Sequence, residues 1–363
     1  LTPNPRPRAV QLFIPCPQRY NTRMALHDHI GSLYWVISHR CNSTCGHCYM
    51  NCGPHAPSLS PDAARTVIDN LPRRINHGII LSGGEVLHPR NRDLLFLISA
   101  RLRAKYNLPV YIQTNGDFLT RCLGRDCLDN GILHISIASL DAHHSSRFAD
   151  MERKRAHLRG LLRGAGLREL RPTANLSPRK VRRLAGAKAV LRAVAPRVLD
   201  IPTFSIWGAN EDIWLGGNWA RGRALHSGQA LHSAGHNFCA IWSGGLNFLA
   251  HGRPVQEIAV QLSYAYPCCP STRRALGDLR AEPLARILER AARHRVFRAI
   301  HRGKPWMGAP EFGIPARRAR ARFRELDNVC MLCDELLAHL DPDAFPESPF
   351  DVYPDTRRLG TPL

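Results

Sequence analysis

Short apolar runs alternate, up to about residue 208, with longer segments whose apolar residues recur every three or four positions. Runs of the first kind predict buried β-strands, and segments of the second kind predict amphipathic α-helices. The predicted strands are Tyr34–His39, Gly78–Leu81, Pro109–Gln113, Ile132–Ser139, Leu167–Thr173 and Val198–Ile206. The predicted helices are Pro61–Leu71, Arg92–Tyr106, Met151–Leu162 and Pro178–Val194.

This alternation of strands and helices is typical of parallel βα units. Six units are too few for a closed eight-stranded barrel, so the pattern predicts an open partial barrel or a doubly wound sheet. In both folds the functional residues gather beyond the carboxyl ends of the strands.

The sequence changes character after Gly208. Glycine pairs at 216–217 and 244–245 predict turns between short extended pieces, and helices are predicted over Glu282–His301 and Arg317–Leu326. The pattern predicts four parts: an irregular segment 1–30, a barrel domain 31–208, a small α+β domain 209–340 and a loosely ordered tail 341–363.

The chain has 363 residues, 44% of them hydrophobic, which is enough for one large core and a second smaller one. No purely apolar run is longer than that of Leu94–Ile98, whereas a membrane-spanning helix needs about 20 residues. Segment Leu1–Pro17 lacks the apolar stretch of a secretory signal. We therefore expect a cytoplasmic protein without a membrane partner.

The net charge of +21 favours an anionic partner, but most of the 50 basic residues are arginine, a skew that GC-rich codon usage also produces. The densest basic stretch is Met151–Arg197. Two interpretations stay open: a solvated arginine-rich face or a surface that binds nucleic acid.

Twelve cysteines in a long chain without a secretion signal indicate metal binding rather than disulfides. Cys41, Cys45 and Cys48 follow the first predicted strand with a spacing expected in about one random chain in a hundred of this composition. Three thiolates can hold three irons of a [4Fe–4S] cluster and leave the fourth iron open. The alternative is a structural zinc site that His47 or Cys52 completes.

The segment Cys41–Tyr49, followed by Ser82-Gly83-Gly84-Glu85 after the second predicted strand, resembles the radical SAM superfamily. The resemblance implies that the open iron binds S-adenosylmethionine and that reduction yields a 5′-deoxyadenosyl radical. It implies further that His47 faces the adenine, that Tyr49 belongs to the cofactor-binding loop, and that Gly83, Gly84 and Glu85 bind the methionyl ammonium. A cationic amine requires a carboxylate or carbonyl partner, and glycine permits a close backbone approach.

Two further matches follow the third and fourth predicted strands, at Thr114-Asn115-Gly116 and Ser139-Leu140-Asp141. The resemblance implies that Asn115 binds the cofactor, that Ser139 and Asp141 lie near the ribose and the reacting centre, and that Arg147 meets the cofactor carboxylate. The alternative for both motifs is ordinary turn chemistry.

A second cysteine group lies in the C-terminal third, where Cys330 and Cys333 are predicted on a turn leading into a helix. The surrounding segments Trp219–Ala224, Tyr266–Cys269 and Leu276–Leu279 resemble SPASM and twitch domains. The resemblance implies one auxiliary [4Fe–4S] cluster, with zinc as the alternative. Its predicted ligands are Cys239, Cys268, Cys330 and Cys333, with Cys269 as the substitute for Cys268; Cys16, Cys52, Cys122 and Cys127 are interpreted as plain thiols.

The predicted fold is a partial (β/α)6 TIM-like barrel followed by a small α+β auxiliary iron–sulfur domain. The predicted function is that of a radical SAM oxidoreductase that abstracts hydrogen from a peptide or natural-product substrate, with a reductant such as flavodoxin or ferredoxin. Two alternatives remain: a radical SAM enzyme that modifies nucleic acid, and a non-enzymatic zinc protein that binds nucleic acid.

Overall fold

The computed structural model describes residues 29–137, 150–170, 201–206, 220–226, 257–353 and 361–363. Nine strands within these ranges form one sheet. They are β1 His29–Ser38, β2 Arg74–Gly83, β3 Val110–Thr114, β4 Ile132–Ile137, β5 Arg168–Glu169, β6 Thr203–Ile206, β7 Glu257–Gln261, β8 Tyr264–Tyr266 and β9 Gly277–Asp278.

The described ranges also contain nine α-helices, together with 3-10 turns at Pro305–Met307 and Ala309–Phe312. The helices are α1 Pro61–Asn70, α2 Arg92–Tyr106, α3 Arg121–Asp129, α4 Met151–Gly164, α5 Gly222–His226, α6 Leu284–Ala292, α7 Arg295–His301, α8 Ala316–Leu326 and α9 Val329–Leu337. None of these helices is long and apolar enough to cross a bilayer.

The strand order is β5-β6-β4-β3-β2-β1-β7-β8-β9. All pairs from β5 to β7 are parallel, and β8 and β9 add antiparallel pairs at one edge. Within the described ranges the sheet ends in β5 and β9, which do not pair with each other, so these nine strands form an open barrel. This arrangement confirms the predicted α/β class.

Strand β1 is buried on both faces, as expected of a central strand in a parallel sheet. Leu33, Trp35 and Ile37 pack into the large core with the helices, whereas Tyr34 and Val36 pack with cysteines on the opposite face. The period of two in a strand places these two sets apart. The second face therefore carries the candidate site.

The predicted helix Glu282–His301 is wrong in one respect, because it is divided into α6 and α7. His294 is extended at the break, and the Glu311 carboxylate contacts its ring at 2.7 Å and accepts from the Val296 N–H at 2.9 Å. The glutamate caps α7 from a distant position, which helical periodicity does not reveal. Helix α3 is absent from the predicted elements, although Thr120 caps it through the Leu123 N–H at 3.1 Å.

The prediction of a loosely ordered tail is also wrong for residues 341–353. Phe345 is fully buried, and the backbone pairs with a neighbouring loop through Ala275 N to Pro346 O and Ser348 N to Arg273 O, both at 2.8 Å. A proline-rich composition thus does not prevent this segment from packing.

One continuous cluster of buried side chains includes residues of β1 to β4 and residues of the C-terminal helices, such as Leu288 and Phe323. Strand β7 also pairs directly with β1. The predicted domain boundary at 208 lies outside the described residues, as does the predicted helix Pro178–Val194.

Candidate active site

A pocket opens at the carboxyl ends of β1, β2 and β3. Most of the sequence-predicted residues of the N-terminal half line it. Its walls are formed by Tyr34, Cys41, Ser43, Cys45, His47, Cys48, Tyr49, Met50, Cys52, Ser82, Gly83, Gly84, Gln113, Thr114, Asn115 and Arg223. The structure therefore brings the three cysteines, His47, Tyr49, the glycine pair and Asn115 to one place.

The loop between Cys41 and Gly53, here the cluster loop, folds back against the end of β1. The Cys41 N–H donates to the Gly53 carbonyl at 3.0 Å, and the Gly53 N–H donates to the His39 carbonyl at 3.2 Å. A turn within the loop is closed by the Cys48 N–H and the Cys45 carbonyl at 3.2 Å. These bonds hold the three cysteines in a fixed loop.

Backbone N–H groups approach two of the three sulfur atoms. Ser43 N lies 3.4 Å from Cys41 Sγ, and Cys52 N lies 3.3 Å from Cys48 Sγ. A hydrogen bond from the Cys52 side chain is the main cause that lowers the pKa of Cys48 to about 6. Burial raises the pKa of Cys41. Donors of this kind stabilise a thiolate and tune any iron that it binds.

Within the described ranges, no three histidine, cysteine or acidic side chains converge closely enough to hold one metal ion. The thiols instead surround a shared pocket. A cubane cluster presents its irons at separate corners, so its ligands spread more widely than those of one zinc ion. Three thiolates around one pocket are a donor set that can hold a [4Fe–4S] cluster with one open iron.

Gly83 and Gly84 cross the backbone that leads into the cluster loop. A Cβ at Gly83 would lie 2.1 Å from the Ser38 carbonyl oxygen, and one at Gly84 would lie 2.5 Å from that of Arg40. The Gly84 N–H donates to the Ser38 carbonyl at 2.8 Å. Only glycine permits this approach, and the pair thereby fixes the start of the cluster loop.

Glu85 is fully buried and does not line the pocket. Its Oε1 accepts from the Leu87 N–H at 2.8 Å and the Thr114 hydroxyl at 2.6 Å, and its Oε2 accepts from the Asn115 N–H at 2.7 Å. The carboxyl group joins the end of β3 to the loop after β2. Its predicted role toward the cofactor ammonium stays a prediction.

Burial raises the pKa of Glu85 from 4.5 to about 7, against the effect of its three hydrogen-bond donors. The folded protein therefore keeps a proton that the unfolded chain releases, and ionisation of Glu85 costs stability as the pH rises through this interval. We expect the protonated carboxyl band in the infrared difference spectrum of wild type minus Glu85→Gln to titrate near pH 7. A midpoint near pH 4.5 would contradict this expectation.

Asn115 belongs to a hydrogen-bond network that extends beyond the sequence motifs. Its side-chain amide donates to Asn42 Oδ1 at 2.8 Å, and Asn42 Nδ2 donates to Asp117 Oδ2 at 2.9 Å. Asp117 also pairs with Lys154 of α4 at 2.8 Å, where both side chains are almost fully buried. The network anchors the cluster loop to β3 and α4.

Replacing Lys154 with methionine is expected to reduce the free energy of unfolding by about 3 to 5 kcal/mol, because Asp117 would remain as a buried unpaired charge. Urea unfolding of the variant measures this loss. The double variant Asp117→Asn with Lys154→Met removes both charges and should recover part of it. An unchanged unfolding midpoint in Lys154→Met would show that the pair does not support the fold.

Three polar side chains from adjacent strands meet at the pocket floor. Tyr34 Oη on β1 lies 2.8 Å from both Ser82 Oγ and Gln113 Oε1, and Ser82 Oγ lies 2.8 Å from Gln113 Oε1. Sequence reasoning did not identify them, although polar residues in otherwise apolar parallel strands are a signal that could have done so.

His47 and Tyr49 are both buried beside the cysteines. The Tyr49 hydroxyl lies 3.6 Å from Cys269 Sγ. Cys269 thus faces the pocket residues, whereas the adjacent Cys268 is buried near Ser271, whose carbonyl lies 3.7 Å from its sulfur. The structure separates the two cysteines that the sequence left as alternatives.

Two of the C-terminal cysteines, Cys268 and Cys330, lie near a buried arginine. Arg221 is fully buried, and its guanidinium lies 2.9 Å from the Asp334 carboxylate and 3.4 Å from the Cys330 carbonyl. Cys268 and Cys330 both contribute electrostatically to the raised pKa of Arg221, so both lie near it, although burial itself acts in the opposite direction. Cys333 lies one helical turn after Cys330 and is also buried.

The predicted turn at Cys330 and Cys333 is wrong, because both cysteines lie inside α9. Asn328 caps this helix through the Cys330 N–H at 2.9 Å, so the helix begins before the first cysteine. Residues three apart on a helix share a face, which keeps the two thiols side by side.

Several predicted residues lie outside the described part of the chain: Cys16, Ser139, Asp141, Arg147 and Cys239. Among the cysteines interpreted as plain thiols, Cys122 is exposed and Cys127 is buried in α3. Cys52 lines the pocket instead, beside Cys48.

Residues 35–161 match the model of the Radical SAM superfamily. This segment contains the cysteine motif, the glycine pair and Asn115. No curated protein matches this chain.

Several solved structures are similar to the chain at low identity. BtrN in complex with AdoMet and 2-DOIA has 13% identity and a TM-score of 0.45, over 76% of this chain and 88% of that one. AnSMEcpe with bound AdoMet and the Cp18Cys peptide has 13% identity and a TM-score of 0.42, over 87% and 98%. Streptococcus suis SuiB bound to S-adenosylmethionine has 12% identity and a TM-score of 0.39, over 72% and 66%.

The family match and the cysteine pocket agree on the same residues. The superfamily uses S-adenosylmethionine and a [4Fe–4S] cluster, and the pocket holds the three cysteines at the carboxyl ends of parallel strands. Residues 35–161 therefore match the radical SAM superfamily, and the three cysteines of the pocket lie within this segment.

Proposed function

We propose that the pocket binds a [4Fe–4S] cluster through Cys41, Cys45 and Cys48 and cleaves S-adenosylmethionine there. The observation that carries this proposal is the position of the three thiols around one pocket that Gly83, Gly84 and Asn115 also line. When bound, the cluster and cofactor would supply a 5′-deoxyadenosyl radical, which takes a hydrogen atom from a substrate carbon.

The surrounding residues hold and shield this chemistry. Backbone donors at Ser43 and Cys52 stabilise the thiolates of Cys41 and Cys48, and the glycine pair lets the backbone after β2 cross the start of the cluster loop. Glu85 holds the Thr114 and Asn115 side of the pocket in place. In this proposal Asn115 lies toward the ribose and His47 and Tyr49 toward the adenine.

We also propose an auxiliary [4Fe–4S] cluster in the C-terminal region, held by Cys268, Cys330, Cys333 and Cys239. The burial of the first three thiols and the proximity of Cys268 and Cys330 to Arg221 support it. The Cys269 sulfur lies beside the Tyr49 hydroxyl, and we therefore assign Cys268 rather than Cys269 as the ligand. Such a cluster would accept one electron from the substrate radical while a base takes the proton.

The substrate class proposed is a peptide or another natural-product precursor, with flavodoxin or ferredoxin as the reductant. Nucleic acid is less favoured, because most cations in the described part of the basic stretch already form ion pairs. Four of its cations form ion pairs: Lys154 with Asp117, Arg155 with Glu152, and Arg159 and Arg163 with Glu169.

The proposal is tested by anaerobic reconstitution with iron and sulfide, followed by incubation with S-adenosylmethionine and dithionite. We expect 5′-deoxyadenosine and methionine to form in equal amounts. Protein that holds its full iron content and yields neither product would refute the proposed function.

A further inference from the structure

The segment Ala220–His226 docks onto the back of the cluster loop. The Arg223 Nε donates to the Cys45 carbonyl at 2.9 Å, and its Nη2 donates to the Cys52 carbonyl at 2.6 Å. Its backbone N–H donates to the Cys48 carbonyl at 3.0 Å. One residue therefore satisfies three carbonyls of the loop, all of them at cysteines.

Gly222 allows this close contact. Its φ is +49°, and an added Cβ would lie 2.9 Å from the carbonyl oxygens of both Cys48 and Tyr49. Its N–H donates to the Val352 carbonyl at 2.7 Å, so the C-terminal segment supports the docked residues from behind. Neither the conformation nor the space accommodates a side chain at this position.

The Arg223 guanidinium also lines the pocket that contains the cysteines. Among the described residues, no carboxylate lies within ion-pair distance of it. Its two guanidinium hydrogen bonds direct this positive charge at the cluster loop.

The adjacent Arg221 points the other way. It pairs with Asp334 and contacts the carbonyls of Ser271 and Cys330, while Tyr353 packs over its guanidinium at 5.0 Å. Two arginines separated by one glycine thus connect the two groups of cysteines. The rigid placement of Arg221 fixes the position from which Arg223 reaches the cluster loop.

A nearby positive charge favours the reduced form of an iron–sulfur cluster, because reduction adds negative charge. Residues beyond the direct ligands tune metal sites in this way. A partly buried guanidinium acts more strongly than an exposed one, since less water screens it.

We propose that Arg223 is a positioning residue that fixes the cluster loop and raises the reduction potential of the cluster held there. This inference rests on the proposed function, because it requires a cluster at Cys41, Cys45 and Cys48. It assigns to Arg223 a role that the cysteine motif does not contain.

The experiment is a redox titration of the reconstituted protein. Its readout is the electron paramagnetic resonance (EPR) signal that responds to S-adenosylmethionine. Arg223→Met removes charge and hydrogen bonds, Arg223→Gln removes the charge but keeps a donor, and Arg223→Lys keeps the charge. We expect the methionine and glutamine variants to be about tenfold harder to reduce, a shift of about 59 mV to lower potential. The lysine variant should titrate near wild type.

Arg317→Met, on an exposed residue of α8 outside the pocket, is the matched control and should leave the potential unchanged. If Arg223→Met does not hold a cluster, Arg223→Gln decides the question. Wild-type potentials in the glutamine variant would overturn the inference, as would a lysine variant that shifts as far as the glutamine variant. Wild-type protein without a cofactor-responsive signal would instead reject the proposed function.

Discussion

Replacement of Cys41, Cys45 and Cys48 together with alanine is expected to abolish formation of 5′-deoxyadenosine. The three thiols line one pocket and are the proposed ligands of the cluster, so their loss leaves no iron to bind the cofactor. The product is measured after anaerobic reconstitution with dithionite and S-adenosylmethionine. Product should fall to the level of a reaction without protein.

Cys122→Ala is the control for this variant, because Cys122 is an exposed thiol of α3 outside the pocket. It should retain the wild-type rate. A triple variant that still forms product at the wild-type rate would show that the cluster loop does not hold the cluster.

The second large effect concerns the auxiliary cluster. The same triple variant should retain about four irons and four sulfides per chain, bound by the C-terminal cysteines. Adding Cys330→Ala and Cys333→Ala should remove them, because these neighbours on α9 would supply two of the four ligands. Iron and acid-labile sulfide are measured on protein purified without oxygen.

The adjacent cysteines provide a sharper comparison within the triple variant. Cys268→Ser should lose the remaining iron, whereas Cys269→Ser should keep it, since Cys269 faces Tyr49 and not Arg221. Retention of zinc alone would contradict an auxiliary iron–sulfur cluster. Loss of iron in Cys269→Ser but not in Cys268→Ser would reverse the ligand assignment.

Periodicity predicted most of the barrel strands and helices near their observed places, and α2 with its observed bounds. These elements are long or strongly apolar, so local pattern determines them. The break between α6 and α7 depends instead on Glu311, which lies beyond both helices in the sequence. A contact of that kind leaves no periodic signal.

The same reason explains which site residues the sequence revealed. Cysteine and glycine motifs are local and indicated the pocket directly. Lys154 and Arg223 act on the cluster loop from more than 100 positions away, within a chain rich in basic residues. Only the folded structure distinguishes them from other cations on the surface.

The central claim is that S-adenosylmethionine binds at the cluster held by Cys41, Cys45 and Cys48. The most direct measurement is the EPR spectrum of the dithionite-reduced protein before and after addition of S-adenosylmethionine. The cofactor should alter the signal of wild-type protein and leave that of the triple cysteine variant unchanged. A wild-type spectrum that does not respond to the cofactor would contradict the claim.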